Sequence, residues 1–379
     1  MTTPAAANRH CPLCGGKAIE LCLPHPDQSM LSDGRIVPRV LAKTSCHSCG
    51  AAFHSCAATR VEVTYDEEYQ LPTSSPKSDA ARARAYCGWI RSFCDAPRAI
   101  LEIGCGSGAL LSELLKTWPE VSGFGIDPAL PDGARSEGRL RLARGFVEGI
   151  SHDAGPFDLI VAVNVIEHTP DPAAFLDALR MRLALNGRIV IICPAAQQPN
   201  VELLFFDHLY SLTPEALWIA AKKATLVLDR QAPAPQEIGD FQMTMLAAAG
   251  PDIRPRHARP ACDLYTERQS YLEGWSKLDR TLLDRSNSCS QLLAFGGGQT
   301  AALLRAYAPR TWARIERIVL DDVSEAWKLG RPVASYRDAV QNPGGAVLIA
   351  TSPHVQNAIA ERLTRDGLRS ITWNDLIPH

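Results

Sequence analysis

Two cysteine pairs, Cys11-Pro12-Leu13-Cys14-Gly15 and Cys46-His47-Ser48-Cys49-Gly50, have the C-x-x-C-G form of a zinc knuckle. The turn inside each pair points both sulfurs at one metal. The glycine lets the backbone curl so that amides face the thiolates. Four thiolates close a tetrahedral shell with no position left for water. Cys11, Cys14, Cys46 and Cys49 are therefore expected to hold a structural Zn2+. Cys22, His47, His54 and Cys56 are spare donors nearby. A redox use is disfavoured, because neither pair sits at a strand-to-helix junction of the thioredoxin kind.

A second constellation follows the apolar run Ala99-Ile100-Leu101. It reads Glu102-Ile103-Gly104-Cys105-Gly106-Ser107-Gly108. Glycines at this spacing let the backbone approach a ligand beside a helix N-terminus. By itself the pattern is shared with dinucleotide binders. An acid at the end of the next strand, Asp127, suits a ribose diol. Further on, Asp207 and His208 lie in the run Phe205-Phe206-Asp207-His208-Leu209-Tyr210. Histidine suits proton abstraction near neutral pH.

The elements that must position these residues alternate between strand and helix. A helix over 79–94 precedes a buried strand at 99–103. A helix over 109–118 follows the glycines, and a strand over 123–127 ends in Asp127. Another strand spans 157–165, with 144–150 before it read as connection. A helix near 172–185 leads to a strand ending at Cys193-Pro194. Thr213 caps a helix whose first residue is Pro214 and which runs to about Ala224. Asp207 and His208 thus fall on a loop above the C-terminal edge of a parallel sheet, where ligands bind. Glu167 and His168 read as a solvated pair at a strand end. The gap between the cysteine pairs holds a hairpin around 21–23 and 35–42, and 72–77 reads as a loop.

Proline-rich 251–260 reads as a linker. Beyond it, a helix over 264–283 and strands near 291–295, 315–320, 346–351 and 371–373 make a second, smaller alternation. It carries its own glycine turn, Gly296-Gly297-Gly298, on which a nucleotide phosphate could rest. The expected fold class is α/β. It has an N-terminal zinc-binding module (1–64), a central Rossmann-like domain (65–250) and a smaller C-terminal Rossmann-like α/β domain (251–379).

Residues 102–108, Asp127, the run Asn164-Val165-Ile166-Glu167-His168 and the strand ending at Pro194 follow one another as in the class I methyltransferases that use S-adenosylmethionine, which this region resembles. The resemblance implies that Gly104, Cys105, Gly106 and Gly108 line the methionine and ribose part of the cofactor. Glu102 would orient that region and Asp127 would take the ribose hydroxyls. Asn164 and Val165 would face the sulfonium. The whole chain resembles the zinc-containing deoxysugar C-methyltransferases, whose active loop reads Tyr-x-Glu-His. Here the histidine is His208, Asp207 replaces the glutamate and Phe205 the tyrosine. That family has a tyrosine-rich segment after its zinc module. Tyr65 and Tyr69 fall there, although Gln70-Leu71-Pro72 departs from its pattern. By this resemblance His208 is the base, Asp207 orients it or serves as its acid–base partner, and the substrate is a small molecule such as a nucleotide-linked sugar. Other outcomes of the same sequence are O- or N-methylation, different adenosylmethionine-dependent chemistry, or a non-catalytic zinc-ribbon adaptor.

Composition narrows the field. In 379 residues, Lys+Arg 39 against Asp+Glu 41 leaves a net charge of −2, which gives no footing for a nucleic-acid binder driven by bulk positive charge. No apolar run reaches the roughly 18 residues of a membrane span, and the first ten residues lack the apolar core of a secretory signal. With 12 cysteines, half of them before residue 60, reduced thiols and metal ligands are expected rather than disulfides, and the compartment expected is the cytoplasm. The oligomeric state is left open.

Overall fold

The computed structural model describes residues 10–55, 69, 76–133, 135–151, 154–255, 260–341 and 345–377. Cys56, Tyr65, the segment Gln70-Leu71-Pro72 and the expected boundary between 64 and 65 lie outside the described residues. Eight strands form the central sheet. Their order is Val227–Pro233, Phe241–Ala247, Leu183–Pro194, Phe157–Val163, Ala99–Ile103, Ser122–Asp127, Leu140–Arg144 and Arg135–Glu137. The strands from Leu183–Pro194 across to Leu140–Arg144 are parallel, and the outer ones antiparallel.

Alternation along the parallel strands builds two apolar layers. Ile100, Val161, Val190 and Ile192 face the helices Pro76–Arg91 and Ala109–Thr117. Leu101, Ile160, Ala162 and Ile191 face the helices Pro172–Arg180 and Pro214–Lys223. Both faces are covered, so the strands read as near-continuous apolar runs. Each fully buried Leu, Ile or Val contributes roughly 1.5–3 kcal/mol. The last two helices start where the sequence says they should. Asp171 accepts from the backbone N–H groups of Ala173 and Ala174 ahead of Pro172, and Thr213 accepts from that of Ala216.

Several elements differ from expectation. The strands Leu140–Arg144 and Arg135–Glu137 pair as an antiparallel ribbon that the sequence reading missed. Half of their residues are charged, and Leu142, 2% exposed, is the one deeply buried position. The helix at 172 ends at Arg180, and the following strand begins at Leu183. The N-terminal hairpin joins Ser29–Met30 to Ile36–Val37, not 21–23 to 35–42. Its turn uses Asp33-Gly34, with Gly34 at φ +87° and the Leu31 N–H bonded to the Arg35 carbonyl. An Asp-Gly pair is a strong hairpin signal.

The N-terminal segment forms a four-stranded antiparallel sheet of Ala18–Glu20, Lys43–Cys46, Ala52–His54 and Tyr210–Ser211. The fourth strand comes from the connection between two central strands, Leu183–Pro194 and Val227–Pro233. The C-terminal sheet orders Trp327–Lys328, Arg331–Ser335, Ile315–Leu320, Leu292–Phe295, Ala346–Ile349 and Arg369–Ile371, parallel except for its first strand. Among the described residues, no helix is long and apolar enough to cross a membrane.

Helix Ala261–Ser286 ties the three parts together. Arg268 on it is 1% exposed and donates to the Ser45 hydroxyl (3.1 Å), the Gly50 carbonyl (2.7 Å) and the Ala196 carbonyl (2.8 Å). Burial lowers its pKa to about 10, so the side chain stays charged near neutrality. Replacing Arg268 with Met strands these acceptors in a dry joint, at a cost of about 3 kcal/mol. Chemical denaturation should show an earlier first transition; an unmoved midpoint would mean that water reaches these groups.

Candidate active site

In an open parallel sheet, ligands bind where the strand order reverses, outside the carboxyl ends. Here the reversal lies between Ala99–Ile103 and Phe157–Val163, the two strands that carry the glycine run and Asn164 at their ends. Gly104, Gly106 and Gly108 have φ of +69°, +51° and +80°. A Cβ at Gly104 would lie 2.5 Å from Val165 Cγ2, and one at Gly108 would strike Leu142. At Gly106 it would meet nothing within 4 Å, so the loop is open there. Asn164 is also left-handed, at φ +56°.

Asp127 reaches the lip of this loop. Its carboxylate accepts from the Gly106 N–H (2.8 Å) and the Ala129 N–H (2.8 Å). Each oxygen keeps lone pairs for a hydroxyl donor. Glu102 lies behind, 3% exposed, accepting from the Leu111 N–H at the start of the helix (3.1 Å). Burial pushes its carboxyl up to about 8. The Cys105 side chain turns into the core against Gly125, and its N–H donates to the Ile126 carbonyl (3.2 Å), which ties the loop to the next strand. These residues suit an adenosyl group carrying a ribose diol.

His208 is brought to the same edge. His168, four residues after Asn164, has Nδ1 at 2.9 Å from the Asp207 carbonyl, and its ring meets that of His208 at 4.7 Å. His208 is 5% exposed, with Phe205 against its ring (4.9 Å) and Nδ1 at 3.5 Å from Glu202 Oε2. The same Glu202 oxygen accepts from the Ser211 hydroxyl (2.9 Å). Burial alone would raise the Glu202 carboxyl, but Lys43, His208 and Ser211 together hold it below its ordinary value. Lys43, itself lowered to about 8 by burial, donates to the Glu202 carbonyl (3.4 Å).

The resemblance gave Asp207 the task of orienting the imidazole. In the structure its carboxylate accepts instead from the Ser32 N–H (2.8 Å) and hydroxyl (2.6 Å), and Glu202 stands beside His208. Tyr69 also enters this network, its hydroxyl 3.1 Å from Ser32 Oγ. Glu202, Lys43 and Ser32 were not singled out from sequence. The last two lie in the N-terminal segment, and no local pattern links them to His208. Glu167 and His168 are not the solvated pair expected. Glu167 is 2% exposed with neither carboxylate oxygen hydrogen-bonded, and burial raises its pKa to about 7. Burial and the nearby His208 lower His168 to about 4.

The sulfurs of Cys11, Cys14, Cys46 and Cys49 all lie within 4.8 Å of one another. Two separations, Cys11–Cys49 at 3.7 Å and Cys14–Cys46 at 3.4 Å, are close to the roughly 3.8 Å edge of a tetrahedron with Zn–S of about 2.3 Å. The N–H groups of Gly16 and Ser48 point at Cys14 and Cys46 sulfur. Without a cation the quartet cannot be fully ionised: neighbouring sulfurs and burial push Cys11 up to about 12 and Cys49 higher still. The donor set fits zinc. Of the spare donors, Cys22 Sγ faces the Leu23 carbonyl, His47 packs on Tyr265 and His54 on Phe206. In the C-terminal sheet the glycine turn serves close packing. A Cβ at Gly296 would strike Thr351 and the Ala350 backbone, and one at Gly297 the Lys328 side chain.

The family described as "Methyltransferase domain" matches residues 78–269. The chain belongs to this methyltransferase-domain family. The match contains the glycine loop, Asp127, Glu167 and His208, and runs beyond residue 250. The mitochondrial ubiquinone biosynthesis O-methyltransferase of Schizosaccharomyces pombe is 31% identical over 106 residues, covering 26% of this chain and 38% of that protein. The ubiquinone biosynthesis O-methyltransferase of Xylella fastidiosa strain 9a5c is 30% identical over 101 residues, covering 24% and 40%. The chain thus spans about two-fifths of the length of these curated relatives. Among solved structures, the mitomycin 7-O-methyltransferase MmcR is 16% identical, with a TM-score of 0.38 over 52% of this chain and 63% of that one. The O-methyltransferase NcsB1 from neocarzinostatin biosynthesis, solved with S-adenosylmethionine and a naphthoic acid, is 20% identical, with a TM-score of 0.38 over 47% and 58%.

The glycines separate backbone freedom from contact. Gly104→Ala should destabilise by about 3 kcal/mol, through left-handed strain plus the collision with Val165. Gly106→Ala should cost only about 1–2 kcal/mol, from strain alone. Equal losses in thermal melts would refute the close approach of Val165 to the loop.

Proposed function

We propose that this chain transfers a methyl group from S-adenosylmethionine to a small-molecule acceptor. Carbon is the favoured acceptor atom, and a nucleotide-linked deoxysugar or related natural-product intermediate the favoured substrate class. The observation that carries this reading is the continuity of the site. Val165 touches the glycine loop, and the turn it opens leads through His168 to the Asp207–His208 loop. A base therefore stands beside the place where a cofactor in the loop would end.

When bound, adenosylmethionine supplies an electrophilic methyl group on a sulfonium. Gly104, Cys105, Gly106 and Gly108 would line its methionine and ribose part. Glu102 supports the loop from behind, Asp127 takes the ribose hydroxyls, and Asn164 and Val165 line the sulfonium side. His208, with Nδ1 directed at Glu202, keeps a lone pair on Nε2 for a proton of the acceptor. The proton comes from a C–H beside a carbonyl, and the resulting carbanion is the nucleophile. Ionised Glu202 stabilises the imidazolium that forms, as a buried carboxylate does for a catalytic histidine. Asp207, held by Ser32, fixes the loop.

Oxygen is the alternative acceptor, favoured by the names of the curated relatives, which are O-methyltransferases. The same base then takes a hydroxyl proton. The four cysteines are assigned a structural zinc that fixes the N-terminal sheet against the active loop.

Incubation with nucleotide-linked ketosugars and with phenols, followed by detection of adenosylhomocysteine, separates the two acceptors. His208→Asn should lower turnover by about 10²–10⁴-fold while calorimetry shows unchanged adenosylmethionine affinity; retained turnover removes the base from the scheme, and absence of binding to the unaltered protein removes the enzyme. Elemental analysis should give one zinc per chain, lost in Cys46→Ser.

A further inference from the structure

The pairing of Glu167 with no partner is the feature that methyl transfer leaves unexplained. A carboxylate 2% exposed, with neither oxygen hydrogen-bonded, is expensive to keep unless something positive answers it. The nearest candidates, His168 and His208, arrive from two separate segments. One donor atom from each of the three residues lies within 4.8 Å of the others. Both imidazoles already present Nδ1 to an oxygen: His168 to the Asp207 carbonyl at 2.9 Å, and His208 to Glu202 at 3.5 Å. That leaves Nε2 as the lone-pair nitrogen on each ring. It is the outer arrangement that fixes metal-ligating histidines in proteins.

We propose that Glu167, His168 and His208 form a second cation site, taking one divalent transition-metal ion and distinct from the four-cysteine site. Two imidazoles and one carboxylate select zinc, cobalt or iron(II) over magnesium or calcium, which prefer all-oxygen shells. Metal–donor distances of about 2.1 Å place donor atoms about 3.4 Å apart, so a bound ion draws the three inward from the 4.8 Å within which they lie. Three protein ligands leave further coordination positions open. The lone pair on His208 Nε2 can hold a metal or accept a proton, but not both. Occupancy therefore switches off the base, a regulatory consequence that rests on the reading of His208 given above, whereas the binding itself does not.

The test is cobalt titration of the full chain with its cysteine site already filled with zinc. The unaltered protein should bind one Co2+ and show visible d–d bands without the near-ultraviolet thiolate charge-transfer band. Glu167→Gln and His168→Phe should each weaken binding by at least about 100-fold, beyond what loss of an outer partner costs. Retained zinc content and adenosylhomocysteine affinity show that each variant is folded. Equal cobalt affinity in the unaltered protein and Glu167→Gln, or a spectrum dominated by thiolate charge transfer, overturns the site. In turnover assays, added Zn2+ should inhibit the unaltered protein reversibly, with recovery on chelation. Cobalt binding together with activation by metal upholds the site and removes the base reading instead.

Discussion

A few main-chain hydrogen bonds between residues 204–211 and the N-terminal segment hold the site in place. The Phe206 N–H bonds to the Met30 carbonyl (2.8 Å), and the His54 N–H to the Leu209 carbonyl (2.9 Å). Tyr210 and Ser211 pair with Phe53 and Ala52 as a strand. The Tyr307 hydroxyl donates to the Leu204 carbonyl from the far side. His208 is therefore positioned by its neighbours in space more than by its neighbours in sequence. A loop so anchored gives up its conformational freedom on folding, and the buried Glu202, Ser211 and Lys43 can then be matched to it.

The buried polar and charged groups around this loop belong to different parts of the chain. Ser32, Asp33 and Lys43 come from the N-terminal segment, and Glu167 and His168 from the end of a central strand. Glu202, Asp207 and His208 come from the connection after the central strand Leu183–Pro194. Isolated, each would be costly to bury; Glu202 is offset by Lys43 and His208, and Asp33 by Arg35. Polar residues concentrated against an otherwise apolar architecture mark a place where chemistry, rather than packing, set the residue types.

Much of this was legible from local sequence signals. Glycine spacing, the acid at the end of Ser122–Asp127, and the Thr213-Pro214 and Asp171-Pro172 helix starts are short-range patterns with short-range causes. The four cysteines fall into this class too, since each pair is a local turn. What stayed hidden depends on long-range contact. Arg135–Glu137 and Leu140–Arg144 form a ribbon whose charged residues mask the alternation. Glu202 looks like any acid ahead of an apolar run, and its proximity to His208 is set by the fold. Glu167 looked like a solvated strand end because its burial depends on the turn Ile166–His168 packing against Tyr210–Ser211, which lies more than 40 positions further along the chain.

The short strand Tyr210–Ser211 completes a sheet whose other members lie more than 150 positions earlier in the chain. Lifting the cysteine-bearing portion onto an unrelated catalytic scaffold would leave that sheet with a bare edge, a template for pairing between molecules. The natural unit of exchange is the cysteine-bearing portion with its receiving strand. Any recombination that respects only linear order will separate two halves that must be inherited together.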